Sequence, residues 1–213
     1  MIMKLTKFEH SCLVLDKNGS TLIIDPGSFT MPLTDIMGVV AVVITHEHAD
    51  HWTPEQLTRI LDRNPGARIL GPAGVAKAAT DFEVEVVKDG DTVEIEPFTL
   101  AFYGEKHAII HSSIPVIDNV GVLVDDELYY GGDSYTVPPV PVNTLAAPIG
   151  APWLKIGEAM DYVLAVKPKR SFPIHDMTLS QAGKSMTHDR IRAVTEQGGG
   201  EFFVLEPGQS YDL

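Results

Sequence analysis

The segment Val39–Thr45 (VVAVVIT) is an unbroken run of apolar and β-branched residues. A run of this kind is typical of a strand that is buried on both faces of a sheet. A helix is predicted to follow from Pro54, because Thr53 can cap it, proline suits the first helical position and Gln56 completes a capping box. The chain is therefore expected to fold around a covered sheet with helices packed outside it.

The rest of the chain shows strand patterns first and alternating strand and helix patterns afterwards. Further strands are predicted at Lys4–Phe8, Cys12–Leu15, Thr21–Asp25 and Arg68–Gly71, in a strand–turn–strand–strand pattern over Val84–Tyr103, in a hairpin of Val120–Val124 and Glu127–Tyr130, and at Ser171–Ile174. Further helices are predicted at Ala73–Ala79, at Ile156–Val166, and from a cap at Thr187 to Gln197. Two mixed sheets packed together with helices outside accommodate this order, which makes the fold class α/β.

Length, charge and cysteine content restrict the kind of protein. The 213 residues fit one domain spanning residues 1–213. A formal net charge of −13 repels phosphate backbones, so we expect a small-molecule substrate and no nucleic-acid partner. Cys12 is the one cysteine, which excludes an internal disulfide and favours a cytoplasmic location. There is no signal peptide pattern and no apolar stretch long enough to span a bilayer, so no membrane partner is expected.

The segment Thr45–His51 (THEHADH) places four potential metal ligands side by side, namely His46, His48, Asp50 and His51. It lies directly after the predicted buried strand and before the capped helix, and such a loop can direct several side chains at one point. Imidazole nitrogens and carboxylate oxygens without thiolates suit zinc, and also manganese or iron. Three of the eight histidines fall in this window, which argues against a chance cluster of polar loop residues.

Three later side chains are further ligand candidates. His107, Asp133 and His175 each come shortly after a predicted strand. Gly131-Gly132 directly before the aspartate permits a close backbone approach and unusual dihedral angles. Because a catalytic metal needs at least three protein ligands and an open position, these residues are expected to complete a two-metal site at one edge of the fold.

These motifs resemble those of the metallo-β-lactamase superfamily over nearly the whole chain. The His-x-His-x-Asp-His pattern of His46–His51 is the most specific, and Asp25-Pro26, Gly-Asp-Ser at Asp133 and Pro-Ile-His at His175 match as well. The resemblance implies a four-layer αββα sandwich with the site at one edge. It also implies two ligand sets, with His46, His48 and His107 for the first metal, Asp50, His51 and His175 for the second, and Asp133 bridging them.

Within the superfamily, the chain is most similar to a small single-domain branch of metal-dependent hydrolases that includes ascorbate-6-phosphate lactonase. Pro148-Ile149-Gly150 and Lys167-Pro168 carry this likeness. Members of the branch usually open with Gly-His-(Ser/Ala), whereas Glu9 stands at the glycine position here and His10-Ser11 is kept. True β-lactamases lack the bridging aspartate, so Asp133 argues against antibiotic hydrolysis as the native reaction.

Two histidines have alternative roles. His10 is expected either to contact the substrate or to orient Asp25 or a metal ligand, and with Asp50 it is a candidate catalytic residue. His111 lies four residues after His107 and competes with it for the ligand role. The superfamily pattern favours His107.

The sequence thus predicts a metal-dependent hydrolase of a small ester, lactone or phosphoester. Two divalent ions about 3.5–4 Å apart, with zinc favoured over manganese or iron, would share the hydroxide that attacks the substrate. Asp50 would orient this nucleophile and pass its proton to the leaving group. The alternatives are a non-catalytic metal-binding or regulatory protein, and a phosphodiesterase. The sequence leaves the oligomeric state open, a homo-oligomer included.

Overall fold

The computed structural model describes residues 2–213 and arranges them around two seven-stranded sheets. The first sheet contains, in spatial order, β14 (Ser210–Asp212), β1 (Lys4–Lys7), β2 (Leu13–Lys17), β3 (Ser20–Ile24), β4 (Val39–Val43), β5 (Arg68–Gly71) and β6 (Val84–Val86). The second sheet contains, in the same manner, β13 (Glu201–Phe202), β12 (Arg170–Ile174), β11 (Thr144–Pro148), β10 (Leu128–Tyr130), β9 (Gly121–Val124), β8 (Phe98–Tyr103) and β7 (Thr92–Ile95).

Helices cover the outer face of each sheet. They are α1 (Pro54–Arg63), α2 (Ala73–Ala78), α3 (Ile156–Val166) and α4 (Gln181–Gln197). Leu57 and Ile60 of α1 pack on the first sheet, and Val163 of α3 and Ile191 of α4 pack on the second. The layers therefore run helix, sheet, sheet, helix, and the predicted αββα sandwich is confirmed. No helix within residues 2–213 combines the length and apolar character that crossing a membrane requires.

The main core lies between the two sheets and follows the period-two alternation of strands. Leu13 and Leu15 of β2 face inward into this core, whereas Val14 between them faces α1 and α2. From the second sheet, Phe98 and Phe102 of β8 point into the same core and are fully buried. Each such side chain stabilises the fold by roughly 1.5–3 kcal/mol on burial, so the alternation fixes which strand faces pair.

Strand direction brings the candidate site residues to one edge. Strands β3, β4 and β5 are parallel neighbours, and so are β10, β11 and β12. The carboxyl ends of parallel strands meet at the same edge of a sheet. Asp25 follows β3, His46 follows β4, Asp133 follows β10 and His175 follows β12, and these ends lie where the edges of the two sheets face each other.

Helix α4 begins earlier than the sequence predicts. Its N-cap is Ser180, whose hydroxyl accepts from the N–H of Gly183 at 3.2 Å, and Thr187 lies inside the helix. The Thr187 hydroxyl donates back to the carbonyls of Gly183 and Lys184, as is common for threonine within a helix. The prediction was wrong because a glycine in the first turn lowers helix propensity and hides the true start.

The start of α1 agrees with the prediction in part. Thr53 accepts from the backbone N–H of Gln56 at 3.2 Å, as a capping residue does. The side chain of Gln56 does not complete the capping box, because its amide binds the backbone of Leu33 and Thr30 instead. Gln56 thereby fastens the loop after β3 to the helix.

Candidate metal centre

Eight side chains from five segments of the chain meet at this edge. One group of possible ligand atoms comes from His46, His48, His107 and Asp133, and a second comes from His10, Asp50, His51 and His175. Within each group the atoms lie within 4.8 Å of one another. The structure therefore brings together all seven predicted ligands, with His10 as an additional neighbour.

Four of the imidazoles share the same tautomer. In each ring Nδ1 is hydrogen-bonded to a protein oxygen: Thr45 Oγ1 for His46 (3.0 Å), Asp25 Oδ2 for His51 (2.6 Å), the carbonyl of Ala108 for His107 (2.5 Å) and the carbonyl of Gly150 for His175 (2.6 Å). A proton on Nδ1 leaves a lone pair on Nε2. All four Nε2 atoms are buried and have no hydrogen-bond partner among the described residues. Buried lone pairs without partners are costly unless a cation binds them.

Asp25 fixes the orientation of the His51 ring and of the loop that begins at Thr45. Its carboxylate accepts the backbone N–H of Thr45 at 2.8 Å, the Thr45 hydroxyl at 2.6 Å, Nδ1 of His51 at 2.6 Å and the Tyr130 hydroxyl at 2.7 Å. Because four groups donate to this one fully buried carboxylate, the His51 ring and the start of the Thr45–His51 segment are fixed. Asp25 is therefore the supporting residue for the ligands. Asp176, the residue directly after His175, contacts Lys7 and Lys184.

Asp133 lies between the two groups. Its Oδ1 is 3.2 Å from Nε2 of His51, and its Oδ2 is 3.1 Å from Nε2 of His175 and 3.4 Å from Nε2 of His107. The carboxylate thus contacts residues of both groups. Gly132 before it has φ +63°, and a Cβ there would lie 2.4 Å from Asn119 Oδ1. Glycine is therefore required for the chain to pass this point, as the sequence predicts.

His10 is engaged through both ring nitrogens. Nδ1 accepts the backbone N–H of Met177 at 3.3 Å, so Nε2 carries the proton and donates to Asp50 Oδ2 at 3.2 Å. The carbonyl of His10 accepts the N–H of His175 at 2.9 Å. With its ring fully buried, His10 orients two residues of the second group, and its own nitrogens have no lone pair left for an ion.

Burial and neighbouring groups shift the pKa values at the site. Burial lowers the pKa of His46 well below its ordinary value and that of His10 to about 4. Burial alone would raise the pKa of Asp133, but the imidazoles of His51 and His175 hold it well below its usual range. Burial alone would lower the pKa of His51, but the neighbouring carboxylates, first that of Asp133, hold it well above its ordinary value. A raised pKa means that the imidazole of His51 binds a second proton, at Nε2. A metal cation bound at this Nε2 would take the place of that proton.

His107 and His111 occupy different environments. The ring of His107 is buried, 4.8 Å from that of His48 and 5.0 Å from that of His46, centroid to centroid. His111 is exposed, and its Nδ1 is hydrogen-bonded to the hydroxyl and the N–H of Ser113. Of the two alternatives, the structure brings only His107 into the cluster.

Three supporting residues were missed by the sequence analysis. Trp153 Nε1 donates to Asp133 Oδ2 at 2.7 Å, and the hydroxyl of Tyr130 donates to Asp25. Asn119 accepts the N–H of Asp133 and donates to the carbonyl of Gly131. No local pattern marks these residues, because each meets its partner only through the packing of distant segments.

The donor set fits divalent metal ions. It consists of imidazole nitrogens and carboxylate oxygens without thiolate, which suits zinc, manganese or iron. Asp133 belongs to the first group, and its carboxylate also lies close to Nε2 of His51 and of His175 in the second.

Similar proteins cover the same region. Residues 4–175 match the family described as "Beta-lactamase superfamily domain", and the match includes all seven residues above. Protein Rv0786c of Mycobacterium tuberculosis is 37% identical over 199 residues, which cover 91% of this chain and 93% of that protein. A UPF0173 metal-dependent hydrolase of Aeropyrum pernix is 24% identical over 99% of this chain and 97% of its own. The solved structure of Igni18, a metallo hydrolase from Ignicoccus hospitalis, superposes with a TM-score of 0.76 at 21% identity over 100% of this chain and 99% of that chain.

Proposed function

The chain belongs to the metallo-β-lactamase superfamily as one of its metal-dependent hydrolases, and from this premise we propose that it hydrolyses a small ester, lactone or phosphoester with two divalent ions, preferentially zinc. The observation that carries the proposal is the set of four buried Nε2 atoms without partners, converging with the carboxylate of Asp133. Buried hydrogen-bond acceptors without partners destabilise a folded chain, and bound cations account for their concentration at this site.

The ligands divide between the two ions. His46, His48 and His107 would hold the first ion, Asp50, His51 and His175 would hold the second, and Asp133 would be a ligand of both. The distances from Asp133 to imidazoles of both groups support the bridge. The proposal takes residues 1–213 as one catalytic domain, because the ligands come from both sheets and β14 pairs with β1.

The residues around the ions have separate tasks in hydrolysis. Two bound ions would supply Lewis acidity and lower the pKa of a water molecule towards neutrality. Asp50 would orient the attacking water and pass the proton that this water releases to the leaving group; the carboxylate of Asp50 is held by the hydrogen bond from His10. That hydrogen bond and, after it, the neighbouring imidazoles of His51 and His175 lower the pKa of Asp50 in spite of its burial, so its carboxylate is ionised. His10 is thus a positioning residue.

A substrate panel tests the reaction class. Metal-loaded protein is incubated with lactones, neutral carboxylic esters, bis-p-nitrophenyl phosphate, nitrocefin and structured RNA. We expect turnover of one or more small esters or lactones, little turnover of nitrocefin and none of RNA, since the net charge of −13 opposes long polyanions. Asp50→Ala should lower the rate by about 10²-fold or more, as the loss of a proton-transfer group does.

The same panel identifies the outcomes that oppose the proposal. Activity that survives in Asp50→Ala would come from a contaminating enzyme. RNA cleavage that disappears in the variant, with no turnover of small esters, would replace the proposal by a nuclease. A chain that binds both ions and turns over nothing in the panel would favour a non-catalytic metal-binding protein.

The third histidine of the first ion is tested by a matched pair of variants. His107→Ala should lose one ion per chain and lower turnover by about 10²-fold or more, since a ligand is removed. His111→Ala should keep both ions and near-normal turnover, because its ring is exposed and bonded to Ser113. Metal content and kcat/KM are measured on both; loss of an ion from His111→Ala alone would reverse the assignment.

A further inference from the structure

We infer that the substrate of this site is uncharged apart from its reacting group and carries an alkyl or aryl group, which lies in a cleft beside Trp153. The inference rests on the proposed function and specifies its substrate class. It depends on the cleft itself, on the apolar side chains around it, and on the distribution of charge in the loops that carry the site.

The cleft lies next to the first group of ligands. It has a volume of about 500 Å³, and its apolar lining comes from Ala108, Ile109, Tyr135 and Trp153. The rings of Tyr135 and Trp153 pack edge to face with centroids 5.2 Å apart. A cleft of this size with aromatic walls is typical of sites that bind small organic molecules.

Trp153 joins the cleft to the proposed reaction centre. Its Nε1 donates to Asp133 Oδ2 at 2.7 Å, and its ring lies 5.9 Å from that of His107. From the other side, the N–H of Ala108 donates to the carbonyl of Asp133 at 2.8 Å. Two residues of the cleft wall, Trp153 and Ala108, are therefore in direct contact with the proposed reaction centre.

The loops around the site expose large apolar side chains. Ile109 is 67% exposed although it follows His107 by only two positions. Phe29 and Met177 are exposed on the opposite side, where the ring of Phe29 lies 4.9 Å from that of His10 and Met177 follows His175 closely. The surface on both sides of the site is therefore partly apolar.

Cations for a second anionic group are scarce in these loops. Over residues 25–37, 44–53, 104–120, 131–143, 149–155 and 175–180, the basic side chains are Lys106 and Lys155. Lys106 is paired with Asp118 at 2.8 Å, and Glu158 lines the cleft as well. Arg59, which lines a separate depression beside Phe29, does so together with Glu55. A phosphate or carboxylate on the substrate's distal group would need an arginine or lysine partner. The lining of the cleft offers the carboxylate of Glu158 and one lysine, Lys106, whose charge is already paired with Asp118.

Hydroxamates of graded chain length test this inference without turnover. A hydroxamate chelates a metal ion with its head group, so the tail reports on the cleft. Acetohydroxamate, hexanohydroxamate, octanohydroxamate and the monohydroxamate of suberic acid are titrated calorimetrically into zinc-loaded protein. We expect affinity to rise about three- to fourfold per methylene that becomes buried. The suberic compound, whose tail ends in a carboxylate, should bind at least about tenfold more weakly than octanohydroxamate.

Matched isoleucine variants locate the tail. Ile109→Ser should weaken octanohydroxamate about fivefold, by removing apolar contact, and leave acetohydroxamate unchanged. Ile2→Ser is the control, since Ile2 is 70% exposed and precedes β1 at the end of the strand remote from the site. It should change neither affinity.

The results separate this inference from the proposed function. If acetohydroxamate does not bind metal-loaded protein, the proposed metal centre is wrong and the substrate class is overturned with it. If acetohydroxamate binds, but affinity does not rise with chain length or the suberic compound binds more tightly, the apolar substrate is excluded while the metal centre stands. If the rise with chain length is unchanged in Ile109→Ser, the cleft beside Trp153 does not hold the tail.

Discussion

Asp133→Asn is expected to leave the protein without two stably bound ions and to lower turnover by at least about 10³-fold, because the proposed bridging ligand loses its charge and the Lewis-acid stabilisation of the transition state, worth several kcal/mol, is lost with the ions. The carboxylate of Asp133 contacts imidazoles of both groups, that of His107 in the first through Oδ2 and those of His51 and His175 in the second through Oδ1 and Oδ2. Asparagine keeps the shape of the side chain but replaces one oxygen by a donor and removes the charge. Metal content and kcat/KM of the purified variant are the measurements.

A surface aspartate provides the control for this variant. Asp161 lies on α3 and is exposed, so Asp161→Asn makes the same chemical change far from the cluster and should behave as the parent within about twofold. The bridging role would be contradicted if Asp133→Asn retained two ions per chain.

Removal of the ions is expected to lower the melting temperature by about 10 °C. Ligand binding at about 1,000 times its dissociation constant stabilises the folded state by about 4 kcal/mol, and 1 kcal/mol shifts the melting temperature of a chain of this size by about 2–4 °C. Without ions, the buried Nε2 atoms of His46, His51, His107 and His175 have no partner. The repulsion between the neighbouring carboxylates of the site is then no longer offset by bound cations. Thermal unfolding is followed with and without chelator, and zinc is then added back.

The Asp133→Asn protein serves as the reference in that experiment. Because it is expected to bind the ions poorly, chelator should change its melting temperature little. An equal shift in both proteins would mean that the chelator acts elsewhere, and the absence of any shift in the parent would mean that the ions do not stabilise the fold.

The sequence predicts most of the architecture because local patterns determine it. The buried run at Val39–Val43 forms the interior strand β4, and the polar motif that follows it lies at the edge of the sheets. His107, Asp133 and His175 could be selected since each follows a strand, and parallel strands end at the same edge. Hydrophobic periodicity indicates where the strands and helices lie, and glycine and proline indicate where they end, to within a few residues.

Contacts between distant segments could not be predicted from the sequence. Tyr130 reaches Asp25 across 105 positions of the chain, and His10 receives the N–H of Met177 across 167 positions. Trp153 is 20 positions from the carboxylate it binds. Such partners depend on how the two sheets pack, which hydrophobic periodicity does not encode. For the same reason, the sequence left open whether His10 touches the substrate, whereas the structure has both its ring nitrogens engaged.

The most direct test of the account is the number of metal ions bound per chain. Protein purified without chelator, loaded with zinc and freed of excess by gel filtration, is analysed by elemental mass spectrometry against a protein concentration from amino-acid analysis. Two ions that share Asp133 predict a ratio of two for the parent and clearly less for Asp133→Asn. A reproducible ratio near one in the parent, unchanged by added zinc or manganese, would contradict the dinuclear centre.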